Sequence, residues 1–410
     1  MPRIGQVRRP LRLLALIGFF LYSAFLLVAV ARGIDERYQW DFKSHYCAAH
    51  VHKLGLNFYD EPYLRHYCSP DASQYYSYTP LSIWFFRFFN LFPFGTAYYL
   101  FLALKALALA ALFVVWIRVF LEKEADPGFF VFSLLAFNGA LFLDLRAGNV
   151  SLLEQVGLWI GLAFLLKKKP ALFSLCVVLV ATFKVVPLVF LALLLFLGGK
   201  KKAWYFGGSL LVFAAVHGLS FVLNPFLGKE FIRVFFSMLR ETRGITNPSS
   251  FLWLQDIVES SSLSLFGGQA PRLLGFGIWA AVAGLIVFLT WKAFSRLRKS
   301  PGGDSAKAAI YLFCLAYALL MPRFKDYSYV LLLVPAYFAL KKYAAGMGRL
   351  FLFGLAALSV AENSSLPGFQ VVFGYLWNYI PLFTAAVFWG LYLRHAFRPP
   401  GAPSPSSPAT

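Results

Sequence analysis

Apolar residues run along this chain in blocks long enough to cross about 30 Å of hydrocarbon, with short polar turns between them. Leu11–Ala31 is the first block; it follows the basic segment MPRIGQVRRPLR, is longer than a signal-peptide core and lacks a small-residue cleavage site, which predicts a first span. Thr96–Phe120, Phe129–Leu145 and Val150–Leu166 continue the pattern, then Trp204–Leu223, Leu273–Phe294, Ala308–Leu320, Tyr327–Leu340, Arg349–Ala361 and Val371–Leu393. Pro80–Phe94 is apolar and aromatic but short and carries Arg87, which predicts a helix lying in the interface. Ala171–Leu197 contains Lys184 and Pro187 and is flanked on both sides by basic runs, so it is either two half-helices meeting at FKVVP or one kinked span. The polar stretches 33–95 and 224–271 are long loops. The pattern predicts an all-α polytopic membrane protein with about ten full crossings plus a broken or re-entrant pair.

Charge orients this picture. The chain of 410 residues is 60% hydrophobic and only 14% charged, with a formal net charge of +20; its mean hydropathy is +0.66. A soluble domain is nearer a quarter charged. The Lys and Arg residues sit in short inter-span loops such as KKKP, GGKKK and RLRKSPGGDSAK, the distribution of cytoplasmic loops rather than of a nucleic-acid module. Some of them are also suited to anionic lipid. This predicts both termini on the cytoplasmic side of a plasma (inner) membrane and the two long loops outside. Residues 1–398 then form one transmembrane domain, and the Pro/Ser-rich 399–410 form a disordered tail. Cys176 and Cys314 fall in apolar runs and read as core residues, whereas Cys47 and Cys68 share the first outer loop, where an oxidising compartment permits a disulfide that spacing alone does not fix.

Unusual polar residues gather on the predicted outer side. Trp40–Leu54 has helical spacing that puts Asp41, His45, Ala48 and His52 on one stripe and Phe42, Tyr46, Ala49 and Lys53 on another. Asp41, in the first turn, is either a helix cap or a general base. Asp41, His45 and His52 also offer a carboxylate and two imidazoles, but not at the compact spacing of a helical zinc motif. Arg323 and Lys325, within RFKDY, form a candidate phosphate clamp or an interfacial charge cluster with Asp326. Lys184 lies in an apolar stretch and needs an anionic partner, either Asp144 or a ligand phosphate. Phe231–Arg243 reads as an interfacial amphipathic helix, and Asn247–Ser250 as a loop that touches a polar ligand or as a capping turn. No P-loop, dinucleotide fingerprint or Ser/Cys nucleophile motif is present.

The order of these residues resembles a known family. A basic N-terminus and one span precede Asp41, Phe42, Tyr46, Ala48, Ala49, Gly55 and Tyr59; Tyr78, Pro80, Leu81 and Pro93 follow. Gly148–Asn149 then opens a span, Lys184 is paired with Pro187, Asn247–Ser250 lies in the second outer loop, and Pro322 opens a late turn. This is similar to the GT-C membrane glycosyltransferases, specifically glycosyltransferase family 87. The resemblance implies a GT-C-like helical bundle whose outer loops carry juxtamembrane helices. It implies inverting transfer of a sugar, mannose or another hexose or pentose, from a polyprenyl-phosphate donor to a lipid- or glycan-linked acceptor. The resemblance makes Asp41 the base, and the charges of Arg323, Lys325 and Lys184, on the reading of the residues themselves, would hold the donor phosphate. His45, Tyr46, Tyr78, Asn149, Asn247 and Asp326 would touch substrate. No cofactor is implied, and a divalent metal is left open. The chain departs from the family pattern at Thr79 (Tyr-Thr-Pro for Tyr-Pro-Pro), at Asn149 (for Gln) and at the late motif, where Pro322-Arg-Phe-Lys-Asp-Tyr stands in place of Ser-Pro…Trp-x-His. The rival class is a transporter or lipid-linked-sugar flippase using the break at Lys184; polar groups gathered on one side argue against it. A non-catalytic role in envelope assembly is a third class.

Overall fold

The computed structural model describes residues 39–68, 76–197, 201–238, 247–262, 270–298, 303–344, 346–357 and 378–398, with a few isolated positions besides. The predicted first span, isolated positions apart, and the predicted tail 399–410 lie outside the described residues. Among the described residues all regular structure is helical and there is no strand. The backbone gathers into two compact units. The first comprises the described parts of Leu21–Val119 and Asp144–Glu241; the second comprises those of Met1–Phe20, Phe120–Leu143 and Thr242–Thr410.

The first unit contains α1 (Trp40–Lys53), α2 (Glu61–Cys68), α3 (Ile83–Phe89), α4 (Phe94–Val115), the end of α5 (Pro127–Ala147), α6 (Ser151–Leu166), α7 (Pro170–Ala181), α8 (Leu193–Leu197), α9 (Lys202–Leu223) and α10 (Pro225–Met238). The second contains the rest of α5, α11 (Ser250–Ser262), α12 (Ala270–Leu297), α13 (Gly303–Leu320), α14 (Leu333–Lys342), α15 (Gly346–Ala357) and α16 (Ile380–Phe397). Among the described residues four stretches are long and apolar enough to cross a membrane: Phe94–Glu124, Pro127–Ala147, Lys202–Leu223 and Arg272–Leu297. Shorter apolar helices cover Ser151–Leu166, Pro170–Ala181, Val186–Leu197 and Gly346–Ala357. Leu107, Leu211, Leu223 and Leu285 on the long helices are exposed, as a lipid-facing side requires.

Local chemistry sets the boundaries. α1 ends in a Schellman turn: the Leu56 amide bonds back to the Val51 carbonyl (3.2 Å), the Gly55 amide to that of His52 (3.0 Å), and Gly55 takes φ +75°. α10 begins at Pro225, six residues before the predicted amphipathic start at Phe231, because the Asn224 side chain accepts the Leu227 amide at 3.1 Å and Pro225 suits the first helical position. The sequence treats 224–271 as loop; α10 and α11 occupy much of it.

The predicted span Phe129–Leu145 is not continuous, and the segment read as half-helices or a kinked span does break. α5 is broken at Ala136–Gly139, where Phe137, Asn138 and Gly139 take φ of 54°, 59° and 60°. Asn and Gly tolerate this left-handed turn, whereas Phe137 does not and is held there by stacking on Tyr329 at 5.5 Å. Ala171–Leu197 breaks after α7, and the chain resumes as a 3₁₀ segment, Val186–Ala192, with Pro187 in its first turn. Thr79 satisfies the freed carbonyls: its hydroxyl donates to Thr182 and its amide to Phe183 (3.4 Å). Broken backbone at membrane depth needs this kind of internal partner. Tyr327–Leu340 likewise starts as a 3₁₀ segment, Asp326–Leu332, before α14.

The turn from α5 to α6 is built on Gly148, at φ +67°. A Cβ there would meet the Gln39 side chain and sit 2.9 Å from the Phe42 Cβ. Gly148→Ala therefore costs about 1–2 kcal/mol in backbone conformation alone, before the clash. Thermal unfolding in detergent checks this; an unchanged melting temperature would contradict the packing described.

Candidate active site

The first unit buries a chain of polar side chains around one asparagine. Asp41, in the first turn of α1, is 9% exposed, and its Oδ2 accepts a hydrogen bond from Asn149 Nδ2 at 2.6 Å. The same nitrogen donates to the Tyr78 hydroxyl at 3.0 Å. Asn149 Oδ1 accepts from the Ser151 amide (3.0 Å), the Ser151 hydroxyl (2.7 Å) and Lys184 Nζ (3.2 Å). Lys184 also donates to Ser151 Oγ at 3.1 Å and pairs with Glu154 at 3.0 Å, and its ammonium lies 5.3 Å from the centre of the Tyr78 ring. Its side chain is 27% exposed and that of Glu154 only 8%, so Lys184 is the member of the pair that solvent or a ligand can reach.

Four segments far apart in sequence meet here, each held by its own backbone contacts. Gln39 donates its amide to the Arg146 carbonyl at 2.7 Å and its side-chain amide to Leu145, which fixes the start of α1. Tyr59 donates its hydroxyl to the Tyr78 carbonyl at 2.7 Å, and Thr79 docks on the break after α7, bringing Lys184 beneath Tyr78. The Asp41 cap reading is superseded: the cap position is Gln39, and the Asp41 carboxylate bonds instead to a side chain 108 residues away. Of the two partners the sequence offers Lys184, Asp144 and a ligand phosphate, the first is corrected. Asp144 is taken by Lys105, with both side chains wholly buried, and Lys184 pairs with Glu154 instead.

His45, one turn beyond Asp41, is 2% exposed and enclosed by the rings of Phe86 (4.3 Å), Tyr78 (4.6 Å) and Tyr76 (5.7 Å). Neither ring nitrogen has a hydrogen-bond partner. Burial first, then the charges of Lys184 and Lys105, hold its pKa well below the usual value, so the ring is neutral. His52 faces Phe58 and Trp84 rather than His45. Among the described residues no group of three or more His, Cys, Asp or Glu side chains is arranged to hold a metal ion. The Tyr46 hydroxyl is engaged by the Phe92 carbonyl at 2.9 Å and ties α1 to the turn before α4. Cys47 is disulfide-bonded, whereas Cys176 and Cys314 are free; the Cys68 side chain lies outside the described residues.

The remaining predicted residues lie in the second unit. Asn247 Oδ1 accepts the Phe324 amide at 2.7 Å, the Ser249 hydroxyl donates to the Pro322 carbonyl at 2.8 Å, and the Tyr329 hydroxyl donates to the Pro248 carbonyl at 2.7 Å. The Ser250 hydroxyl donates to the Leu319 carbonyl at 2.6 Å, and Ser249 Oγ receives the Leu252 amide at 3.4 Å. These bonds stitch the NPSS segment to the turn that carries Arg323, Lys325 and Asp326, and they start α11. Ser249 and Ser250 thus act as the capping turn of the sequence reading.

Lys105, Glu154, Ser151 and Gln39 were not anticipated. The signal for Lys105 was available, since a lone ammonium in the apolar run YYLFLALKALALA demands a buried partner.

A model of glycosyltransferase family 87 matches residues 76–322, more than half of the chain. The chain belongs to glycosyltransferase family 87. No curated protein matches the chain significantly. Family membership makes it a glycosyltransferase and, with its long apolar helices, a multi-pass membrane protein. The matched region includes Tyr78, Asn149, Glu154, Lys184 and Asn247. Asp41 and His45 precede it, while Arg323, Lys325 and Asp326 follow it.

Two predictions follow from the geometry of this family 87 protein. The depressed His45 pKa means that the folded state binds fewer protons than the unfolded state below about pH 6.5. The stability this contributes is complete above that pH and falls as the pH drops, by up to about 1.4 kcal/mol per unit, until the folded pKa is reached. Melting temperatures of the wild type and His45→Phe between pH 7.5 and 4.5 should diverge, with the wild type losing more. In a second test, Asn149→Asp places a carboxylate against that of Asp41. It should lower glycosyl transfer at least tenfold at neutral pH, with partial recovery not expected from added salt, because the pair is buried.

Proposed function

We propose that this protein is an inverting glycosyltransferase that moves a sugar, mannose or another hexose or pentose, from a polyprenyl-phosphate donor to a lipid- or glycan-linked acceptor. The reaction is placed at the outer face of the plasma membrane. The observation that carries the reading is the Asp41 carboxylate, buried in the first turn of a helix and oriented by the Asn149 amide next to a partly exposed lysine. A carboxylate held in this way can take the proton of an acceptor hydroxyl as that oxygen attacks the anomeric carbon. The bond from the anomeric carbon to the phosphate oxygen breaks in the same step, its electron pair leaves with the polyprenyl phosphate, and the anomeric configuration inverts. Phosphate is a good leaving group, so a single carboxylate suffices.

Lys184 supplies positive charge where phosphate charge develops. It would exchange its bond to Ser151 or Glu154 for a phosphate oxygen. Arg323 and Lys325 are retained as phosphate candidates on their sequence alone, and His45, Tyr78 and Asn149 as residues around the sugar. About ten crossings, the count that the hydropathy pattern suggests, keep the polyprenyl tail in lipid while the reacting end meets polar groups.

Proteoliposomes supplied with radiolabelled polyprenyl-phosphate mannose, glucose or arabinose and a mixture of membrane glycolipids test this reading. Wild type should transfer one of these sugars, and Asp41→Asn should lose at least about 10²- to 10⁴-fold in kcat while keeping its melting temperature. A fully active Asn variant removes Asp41 from the mechanism; no transfer from any of the three donors removes the reading.

A further inference from the structure

Lys105 and Asp144 form a wholly buried ion pair that the proposed chemistry does not use. The Lys105 ammonium also donates to two main-chain carbonyls, Asp144 O and, at 2.8 Å, Asn149 O. It therefore grips both ends of the turn from α5 to α6. Within that turn the Gly148 and Asn149 amides fold back on the Asp144 carbonyl at 3.1 and 3.4 Å. The turn has two outputs. Arg146 and Leu145 offer their carbonyls to Gln39, immediately before α1, and Asn149 projects its amide onto Asp41. The helix that carries the carboxylate and the amide that orients it are thus anchored on the same six residues.

We propose that Lys105, locked to Asp144, is a positioning residue for Asp41, acting through the Asp144–Asn149 turn on the Asn149 amide and on the start of α1. This rests on the assignment of Asp41 as the base. The hydrogen bonds of Lys105 go to the turn, and Asp41 feels its charge through space. A plain fold-stabilising pair would need only the carboxylate; the two carbonyl bonds are what tie it to the turn.

Removing Lys105 alone strands a buried carboxylate and invites misfolding, so the test uses Lys105→Met/Asp144→Leu, in which well-packed apolar residues replace the pair without leaving a charge. Transfer is measured with the polyprenyl-phosphate sugar that wild type uses, among mannose, glucose and arabinose. The double variant should keep its melting temperature within a few degrees and lose about 10- to 100-fold in kcat with little change in KM for the donor. The acid limb of its kcat/KM profile should move to higher pH, because the Asp41 carboxylate loses both the nearby Lys105 charge and a firmly held Asn149 amide. In an Asn149→Ala background the same two substitutions should cost less than about threefold, since the pair acts through Asn149. Hydrogen exchange of the full chain in lipid nanodiscs should speed up in the peptides covering 39–45 and 144–152. Wild-type kcat in the double variant, costs that multiply fully in the Asn149→Ala background, or unchanged exchange in both peptides would each overturn the proposal. If wild type transfers none of the three sugars, the catalytic reading fails, and the exchange measurement still decides whether Lys105 sets the turn.

Discussion

The first unit is organised around a stereochemical requirement that a single primary amide meets. A carboxylate, a phenol, a serine and an ammonium converge on one point, and only a group with both donors and acceptors can serve all of them. Asn149 presents its NH₂ to Asp41 and Tyr78 and its carbonyl oxygen to Ser151 and Lys184. A carboxylate in its place would have no proton for Asp41, and an aliphatic side chain would remove one bond from each of the four neighbours. Because the residue is 1% exposed, water cannot make up the deficit. The Gly148 turn, the Gln39 anchor and the break at Lys184 are all conditions for bringing these groups to that amide.

Charges inside an apolar protein impose a second constraint. An unpaired ion there is expensive, and the chain answers by pairing locally: Lys105 with Asp144, and Lys184 with Glu154. The two pairs differ in one respect that matters for function. The first is sealed from solvent, whereas the lysine of the second is partly exposed. A sealed pair fixes geometry; a pair open on its cationic side can exchange its partner for an incoming anion. Burial first, and then the charges of Lys184 and Lys105, keep His45 neutral, so an imidazole one turn from the carboxylate adds no third positive charge.

The sequence made the helical class, the helix Trp40–Lys53 and the break near Lys184 legible, because each leaves a local mark: hydropathy, a 3.6-residue period, and a Lys and a Pro in an apolar run. The stripe carrying Asp41, His45, Ala48 and His52 was read as one side of that helix, and its first three residues are buried, as are Phe42 and Ala49 of the other stripe. The left-handed break in α5 left a weaker mark, an Asn-Gly pair inside an apolar run, and hydropathy overrode it. The pairing of the charges was not legible. Asp144 and Glu154 lie ten residues apart on either side of one turn, and which lysine each meets depends on how α4 and the broken segment pack, a long-range fact without local spacing. Likewise Tyr46 and Tyr78 look equivalent in sequence, yet one hydroxyl is spent on a loop carbonyl and the other belongs to the Asn149 network.

A distinction between two uses of polar side chains separates structure from candidate chemistry in this protein. At two places where a helix has ended, a side chain from a distant segment satisfies a main-chain carbonyl: Thr79 at Thr182 after α7 and Ser249 at Pro322 after α13. Bonds of that kind are what an apolar fold demands, and they need no ligand to explain them. The bonds among Asp41, Asn149, Lys184 and Glu154 run instead from side chain to side chain. No helix end requires them, and a core of aliphatic residues would pack as well without the cost of burying ions. Their retention at one place, inside a chain of a glycosyltransferase family, is most simply explained by the proton and the phosphate that such a reaction must handle.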